Sequence, residues 1–345
     1  MIGGAQNPTQ AQPHFTSLPD LASRAAGGAV VWANDDLFAE RENLIKPQPA
    51  EFRPATFGHK GQIYDGWETR RRRGIGPDDC DRAIVRLAAP AIVGGVVVDT
   101  AWFTGNYPPQ ISVEAAYVEG YPSAEDVAHQ TEWTTIVART KVEGDTRNPV
   151  KVASSRRWTH VRLSIYPDGG VARFRVHGEG LLDPRLADGL PLDLAALENG
   201  ARVTACSNMF YSSPNNLLLP GTARTMGEGW ETSRRRDDGN DWVQVRLASQ
   251  GVLTAAELDT SYFLGNAPGA ARLMGRDGDG EWFEVLPRTD LQPDTRHRFL
   301  LSDPRPVTDA RLDVYPDGGM ARLRLFGRLT DDGLDTVQDK WAAAT

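Results

Sequence analysis

The sequence predicts an all-β protein in which one antiparallel sandwich or jelly-roll domain is written twice. Three observations carry that expectation: an ordered set of repeated blocks, strands of period-two alternation, and a turn-rich composition. Of 345 residues, 34 are Gly and 23 are Pro. Such a mix favours many short strands joined by tight turns over long helices. The length exceeds one ordinary core and suits two domains of typical size.

The repeat organises everything else. Gly66-Trp67-Glu68-Thr69 followed by Arg71-Arg72-Arg73 recurs as Gly229-Trp230-Glu231-Thr232 followed by Arg234-Arg235-Arg236. Asp99-Thr100 with Phe103 and Gly105-Asn106 recurs as Asp259-Thr260 with Phe263 and Gly265-Asn266. Arg139-Thr140 and Asp145-Thr146-Arg147 recur as Arg288-Thr289 and Asp294-Thr295-Arg296. Tyr166-Pro167-Asp168-Gly169-Gly170 recurs as Tyr315-Pro316-Asp317-Gly318-Gly319, and Asp20-Leu21-Ala22 as Asp193-Leu194-Ala195. The blocks keep their order while the spacing between copies shortens, so loops absorb the difference. A solenoid needs shorter and more numerous units, which makes this a duplicated domain. Copy one is expected at 15–180 and copy two at 188–330, with a linker at 181–187. A disordered tail is expected at 1–14 and a second tail at 331–345, both termini fraying.

Within copy one, a short helix is expected at 19–26 and strands at 83–87, 96–103 and 111–118; copy two repeats the helix at 192–198. The clearest local signal surrounds Tyr166 to Gly170. Val161, Leu163 and Ile165 alternate with Arg162 and Ser164 before it, and Ala172, Phe174 and Val176 alternate with Arg173 and Arg175 after it. That pattern around a Pro-Asp-Gly-Gly turn predicts a hairpin with one face on a core. Leu312, Val314, Ala321, Leu323 and Leu325 repeat it in copy two.

Composition excludes several classes of function. The formal net charge is −8 and no lysine-rich tail offsets it, which disfavours phosphate-driven nucleic-acid binding. Cys80 and Cys206 fall at non-equivalent places, so neither a disulfide framework nor a zinc knuckle is written here. The N-terminus lacks the apolar stretch of a signal peptide, and the longest apolar run, at 91–98, is far short of a membrane span. A cytoplasmic location is the default expectation. Gly-x-Ser-x-Gly, His-Glu-x-x-His, Walker and paired Cys-x-x-Cys motifs are absent, and Gly74-Ile75-Gly76 falls short of a dinucleotide fingerprint.

The polar residues shared by both copies are the remaining candidates. Glu68 with Arg71 to Arg73, and Glu231 with Arg234 to Arg236, follow a Trp in a loop. A guanidinium fork holds a carboxylate through two parallel bonds, and the alternative is a charge run offset by acidic neighbours. Asp99 and Asp259 end apolar strands, where a carboxylate enters a site or caps a turn. Asn106 and Asn266, after Gly, read as turn residues. Arg139 and Arg288 either face a ligand or pair across strands. His297 faces Asn148 in copy one, and a single His is more often a structural hydrogen-bonder than a catalyst. No two histidines sit at metal-ligand spacing, so no cofactor is expected, while ligands converging from separate loops leave a divalent metal open.

These doubled blocks resemble the allantoicase family from about Phe15 to Arg328, as do Ala205-Cys206-Ser207-Asn208-Met209-Phe210 and the Pro214-Asn215-Asn216-Leu217-Leu218 segment after it. One departure is visible: copy two carries Gly239-Asn240-Asp241-Trp242 where copy one has Asp79-Cys80-Asp81-Arg82. The resemblance implies two jelly rolls of the galactose-binding-like type, a homo-oligomer, and hydrolysis of allantoate to ureidoglycolate and urea. Allantoate is a carboxylate on a carbon bearing two ureido groups, and the bond cleaved is carbon to nitrogen. Such a reaction requires a cation for the carboxylate, an acid for the departing nitrogen and a base for water. Expected carboxylate binders are Arg71, Arg72, Arg139, Arg234, Arg235 and Arg288. Expected proton-transfer groups are Glu68, Glu231, Asp99, Asp259 and His297. A neighbouring Arg should lower the glutamate pKa and favour a base, with a metal-bound water still open. The rival expectations are a non-catalytic jelly-roll module for a small anionic or carbohydrate ligand, and a scaffold.

Overall fold

The computed structural model describes residues 14–72 and 76–345, so Arg73, Gly74, Ile75 and nearly all of the expected N-terminal tail lie outside the described residues. Each copy is organised by one 19-residue strand, Asp81–Asp99 in copy one and Asp241–Asp259 in copy two. The first half of Asp81–Asp99 pairs with Ala29–Ala33 on one side and Arg157–Tyr166 on the other. Its second half pairs with Arg173–Gly180 and Arg147–Lys151. Register breaks between Arg86 and Ala91, and in copy two between Arg246 and Gly251. A strand that changes partners across such a break bends from one layer of a sandwich into the other. Gln110–Ala116 and Thr134–Lys141 extend the first layer. Copy two repeats the order, giving two tandem jelly-roll sandwiches. The strands expected at 83–87 and 96–103 are therefore one strand, and Thr100 to Phe103 leave it in a turn.

The expected hairpin at Tyr166 to Gly170 is corrected. Arg157–Tyr166 pairs with the first half of the long strand and Arg173–Gly180 with the second, so the two flanking strands lie in different layers. Between them Gly170–Val171 pairs with Trp67–Glu68. Alternation reports only that one face of each strand is buried, and an arch between layers satisfies that as well as a hairpin does. Val161, Leu163, Ile165, Phe174 and Val176 are indeed fully buried. The shared glycines have a steric reason. Gly169 has φ +140°, and a Cβ there would stand 2.7 Å from Asn106 O; Gly318 repeats this with φ +134° and Asn266 O at 2.6 Å. The Tyr-Pro-Asp-Gly-Gly and Gly-Asn blocks are thus two sides of one lock.

The expected helices at 19–26 and 192–198 are replaced by single 3-10 turns, Arg24–Ala26 and Leu197–Asn199. Asp20 Oδ1 accepts the Ala22 and Val176 N–H groups, at 3.2 and 3.0 Å. Asp193 Oδ1 does the same for Ala195 and Leu325, at 3.1 and 2.9 Å. A side chain that binds local backbone in this way competes with helix formation.

The C-terminal segment does not fray but forms a helix, Asp331–Ala343. Thr330 Oγ1 caps it by accepting the Gly333 N–H at 3.0 Å. Val337 packs with Leu182 and Ala187 of the connecting segment. The helix also reaches copy one, where Arg157 N–H donates to Ala344 O at 2.7 Å and its guanidinium lies over Trp341 and Tyr117. One apolar core runs through both copies, so they fold as neighbours in contact and not as beads on a linker.

Candidate active site

The repeated Trp-Glu-Thr block forms a two-residue strand followed by a loop held from several sides. Trp67 is fully buried, and its Nε1 donates to Asp35 O at 2.7 Å; Trp230 donates to Asn208 O at 2.8 Å. Thr69 Oγ1 accepts the Gly169 N–H, and Thr232 Oγ1 the Gly318 N–H. Asp168 Oδ2 accepts the Arg72 N–H and Asp317 Oδ2 the Arg235 N–H, both at 2.8 Å.

This frame fixes the two glutamates. Asn106 Nδ2 donates to Glu68 Oε1 at 2.6 Å, and Asn266 Nδ2 to Glu231 Oε1 at 2.5 Å. Glu68 is buried, and its Oε2 has no hydrogen-bond partner among the described residues. Burial pushes its carboxyl above the ordinary glutamate range, and the Asn106 bond and the Arg71 charge only partly oppose this. The expected direction was the reverse. Arg71 lies nearby, but desolvation outweighs an attraction to a guanidinium whose side chain is 59% exposed. An orphaned buried oxygen is costly unless it is protonated or meets a ligand, so Glu68 is a better acid than base.

The arginines differ in how much of each guanidinium is committed to protein partners. Arg72 Nε donates to Asp81 Oδ1 at 3.1 Å, and Arg235 Nη1 to Asp241 Oδ1 at 2.9 Å, each against a fully buried aspartate. Both are committed to a buried partner, whereas the expectation gave them to a substrate carboxylate. Arg71 rests on Asp168 Oδ1 at 3.1 Å and stays mostly exposed. Arg234 is exposed and has no ion-pair or hydrogen-bond partner among the described residues. Arg139 and Arg288 lie over the rings of Tyr166 and Tyr315, at 4.0 and 4.1 Å. Arg139 also donates to Gln110 Oε1 and Pro77 O, so it packs across strands and ties down a loop.

Three proton-transfer candidates hydrogen-bond to local backbone. Asp99 Oδ1 accepts the Ala101 N–H at 2.9 Å and Asp259 Oδ1 the Ser261 N–H at 2.8 Å, both as turn caps. Neither aspartate hydrogen-bonds to the glutamate of its copy. His297 Nε2 accepts the Gln292 N–H at 2.9 Å, leaving Nδ1 to donate to Leu258 O at 3.1 Å. Asn148 does the same work in copy one, accepting from Glu143 N and donating to Val98 O. Both ring nitrogens of His297 are thus engaged by backbone groups. Asn106, Asn266, Asp168 and Asp317 are the residues that sequence reasoning missed; each had been absorbed into a turn motif, though their repetition was the available signal.

A cleft of about 460 Å³ opens in copy one with Lys46, His59, Lys60, Tyr64, Asp65 and Arg173 among its walls; Glu68 does not line it, but wall residues Phe38 and Ala39 donate their N–H groups to Glu68 O. The cleft walls come from a longer loop: Asn43 and Gly66 are 23 positions apart, against 13 for Asn216 and Gly229 in copy two. Burial pushes Asp65 up, yet hydrogen bonds from Arg173, Glu51 N–H and Lys46 hold it at about 2. Asp36, Glu40 and Glu42 approach one another nearby, but Glu40 already faces Lys60 at 3.1 Å. Cys80 and Cys206 are free thiols. No described helix is long and apolar enough to cross a membrane.

Fold and site together define a duplicated jelly-roll protein that presents a desolvated glutamate beside a guanidinium. Comparison with known proteins narrows that class. The model of the allantoicase repeat matches residues 19–181 and 192–330. A protein described as a probable allantoicase from Nocardia farcinica is 63% identical over 316 residues, covering 91% of this chain and 95% of that one. A second, from Streptomyces coelicolor, is 52% identical over 329 residues, covering 92% and 88%. The crystal structure of allantoicase from Saccharomyces cerevisiae superposes with a TM-score of 0.79 at 32% identity, covering 91% of this chain and 96% of that one. The chain belongs to the allantoicase family.

Proposed function

We propose that this protein is a hydrolase of purine breakdown that converts allantoate to ureidoglycolate and urea, with Glu68 as the general acid. The observation that carries the activity is the near-full-length match, across both copies, to allantoicases. The raised pKa of Glu68 supports the acid role. In the reaction, the bond from the central carbon to one ureido nitrogen breaks. That nitrogen takes a proton and leaves as urea, while water supplies the new hydroxyl and returns a proton to the enzyme. Both carbonyls survive, so neither a nucleophilic Ser or Cys nor an oxyanion hole is required.

Arg71 and Arg234 are the arms suited to the substrate carboxylate, because both side chains stay exposed: Arg71 rests on buried Asp168 through Nη1 alone, and Arg234 has no ion-pair partner among the described residues. Asn106 positions Glu68 and leaves its second oxygen as the one that carries the proton. Urea release from allantoate by the purified chain tests the reading, and no urea from folded protein sinks it. Glu68→Gln should lower kcat by about 10²-fold, and full turnover in that variant would remove the acid role. Turnover that survives EDTA leaves the chemistry to side chains. Turnover lost to EDTA and restored by one divalent ion would assign water activation to a metal.

A cytoplasmic location and homo-oligomeric assembly complete the proposal. The second is supported by an apolar face in copy two, where Leu300 is 93% exposed beside Phe299 and Phe326. Light scattering at working concentration measures the assembly, and a monomer would contradict it.

A further inference from the structure

A second cleft, also about 460 Å³, lies where copy one meets the C-terminal helix. It sits by the start of the Arg157–Tyr166 strand, whereas Asp168 of the candidate active site lies beyond that strand's end. Its charged walls are Arg86, Glu119, Asp183 and Arg185, with His160 beside them. Arg185 pairs with Glu119 at 2.9 Å and with Asp183 at 2.5 Å, so those three are mutually satisfied. Arg86 is half-buried and has no ion-pair or hydrogen-bond partner among the described residues.

Duplication shows what is missing. Arg86 stands opposite His160 in the ladder, and Arg246 opposite Asp309 in the same register. In copy two the Arg246 Nε reaches the Asp309 carboxylate at 2.7 Å, and Asp309 is wholly buried. Copy one has kept the cation and replaced the carboxylate by an imidazole. Burial and the Arg86 charge lower the His160 pKa to about 4, so the ring is neutral at pH 7 and supplies no second cation. Its Nδ1 lies 2.9 Å from Thr159 Oγ1, which leaves Nε2 as the ring nitrogen without a protein partner.

We propose that this cleft binds a small organic carboxylate, whose carboxylate group takes on Arg86 the place that Asp309 takes on Arg246. A guanidinium fork receives such a group through two parallel hydrogen bonds, and the neutral His160 adds a third contact. The body of the ligand lies against Ala88, Pro90, Leu186 and Trp341, an apolar wall drawn from copy one, the connecting segment and the C-terminal helix. A ligand bound there contacts all three and stabilises the junction, because it binds only the assembled state. The site is independent of the allantoate reading.

Benzoate is a suitable probe. Calorimetric titration of the full chain should show one benzoate site per chain, with a matching rise in Tm. Arg86→Gln should weaken that binding at least tenfold. His160→Asp should do the same by restoring the internal carboxylate of copy two. Urea release from allantoate should be unchanged in both variants. Absence of benzoate binding to the wild type overturns the proposal. So does wild-type affinity in either folded variant, and so does benzoate that acts only as a competitor of allantoate.

Discussion

Copy one and copy two hold the Trp-Glu-Thr loop with the same braces and differ in what surrounds it. In both, a buried Trp donates to a backbone carbonyl, a Thr latches the Gly-Gly arch, an Asn grips the glutamate, and an Arg is neutralised by a buried Asp. Around this frame, copy one adds a longer loop and a cleft, and buries Glu68 until its pKa rises. Copy two leaves Glu231 half-buried and Arg234 without a partner. Residues kept in both copies are therefore mostly those that the fold needs twice. The differences between copies are where function is to be sought, at Glu68 and again at Arg86 opposite His160.

The comparison can be broken by separating brace from arm. Arg72→Ala should destabilise by about 2 kcal/mol, because it strips the main cation from buried Asp81, discounted for the partial exposure of Arg72. Arg71→Ala should instead raise KM by roughly tenfold, as loss of a carboxylate contact does, with a smaller fall in Tm, because buried Asp168 keeps the Arg72 N–H and the Arg71 side chain is mostly exposed. Equal effects on Tm from the two would erase the distinction. Next in size is Thr330→Ala, which removes the cap of the helix that bridges both copies and should cost about 1 kcal/mol in urea unfolding. Smallest is His297→Asn, which installs the copy-one residue. Both stability and kcat should stay within about 0.5 kcal/mol of wild type, and a collapse of kcat would return His297 to the chemistry.

Much of this was legible in the sequence, and what was not has physical causes. The duplication, the all-β class and the buried faces around Val161 and Phe174 follow from order and alternation. Alternation is blind to the partner strand, which is why an arch at Tyr166 to Gly170 reads as a hairpin. Strand 81–99 reads as two pieces because a bend between layers has no composition of its own. At the site, Glu68 and Arg71 stand out by repetition, but the direction of the Glu68 pKa is set by burial, which spacing cannot express. Arg72 and Arg71 are adjacent and chemically identical, and only the positions of Asp81 and Asp168 decide how much of each guanidinium is committed.

The central claim is that Glu68, and not its copy-two counterpart, supplies the proton. The most direct measurement is the pH dependence of kcat for urea release from allantoate in wild type, Glu68→Gln and Glu231→Gln. Because burial raises the Glu68 pKa, the acid form persists above the ordinary glutamate range and is lost as pH rises through the shifted value. Wild type and Glu231→Gln should therefore share a limb of falling kcat with rising pH, displaced upward from about 4.3, and Glu68→Gln should lose that limb along with most of its turnover. A limb that persists in Glu68→Gln, or disappears instead in Glu231→Gln, would contradict the account.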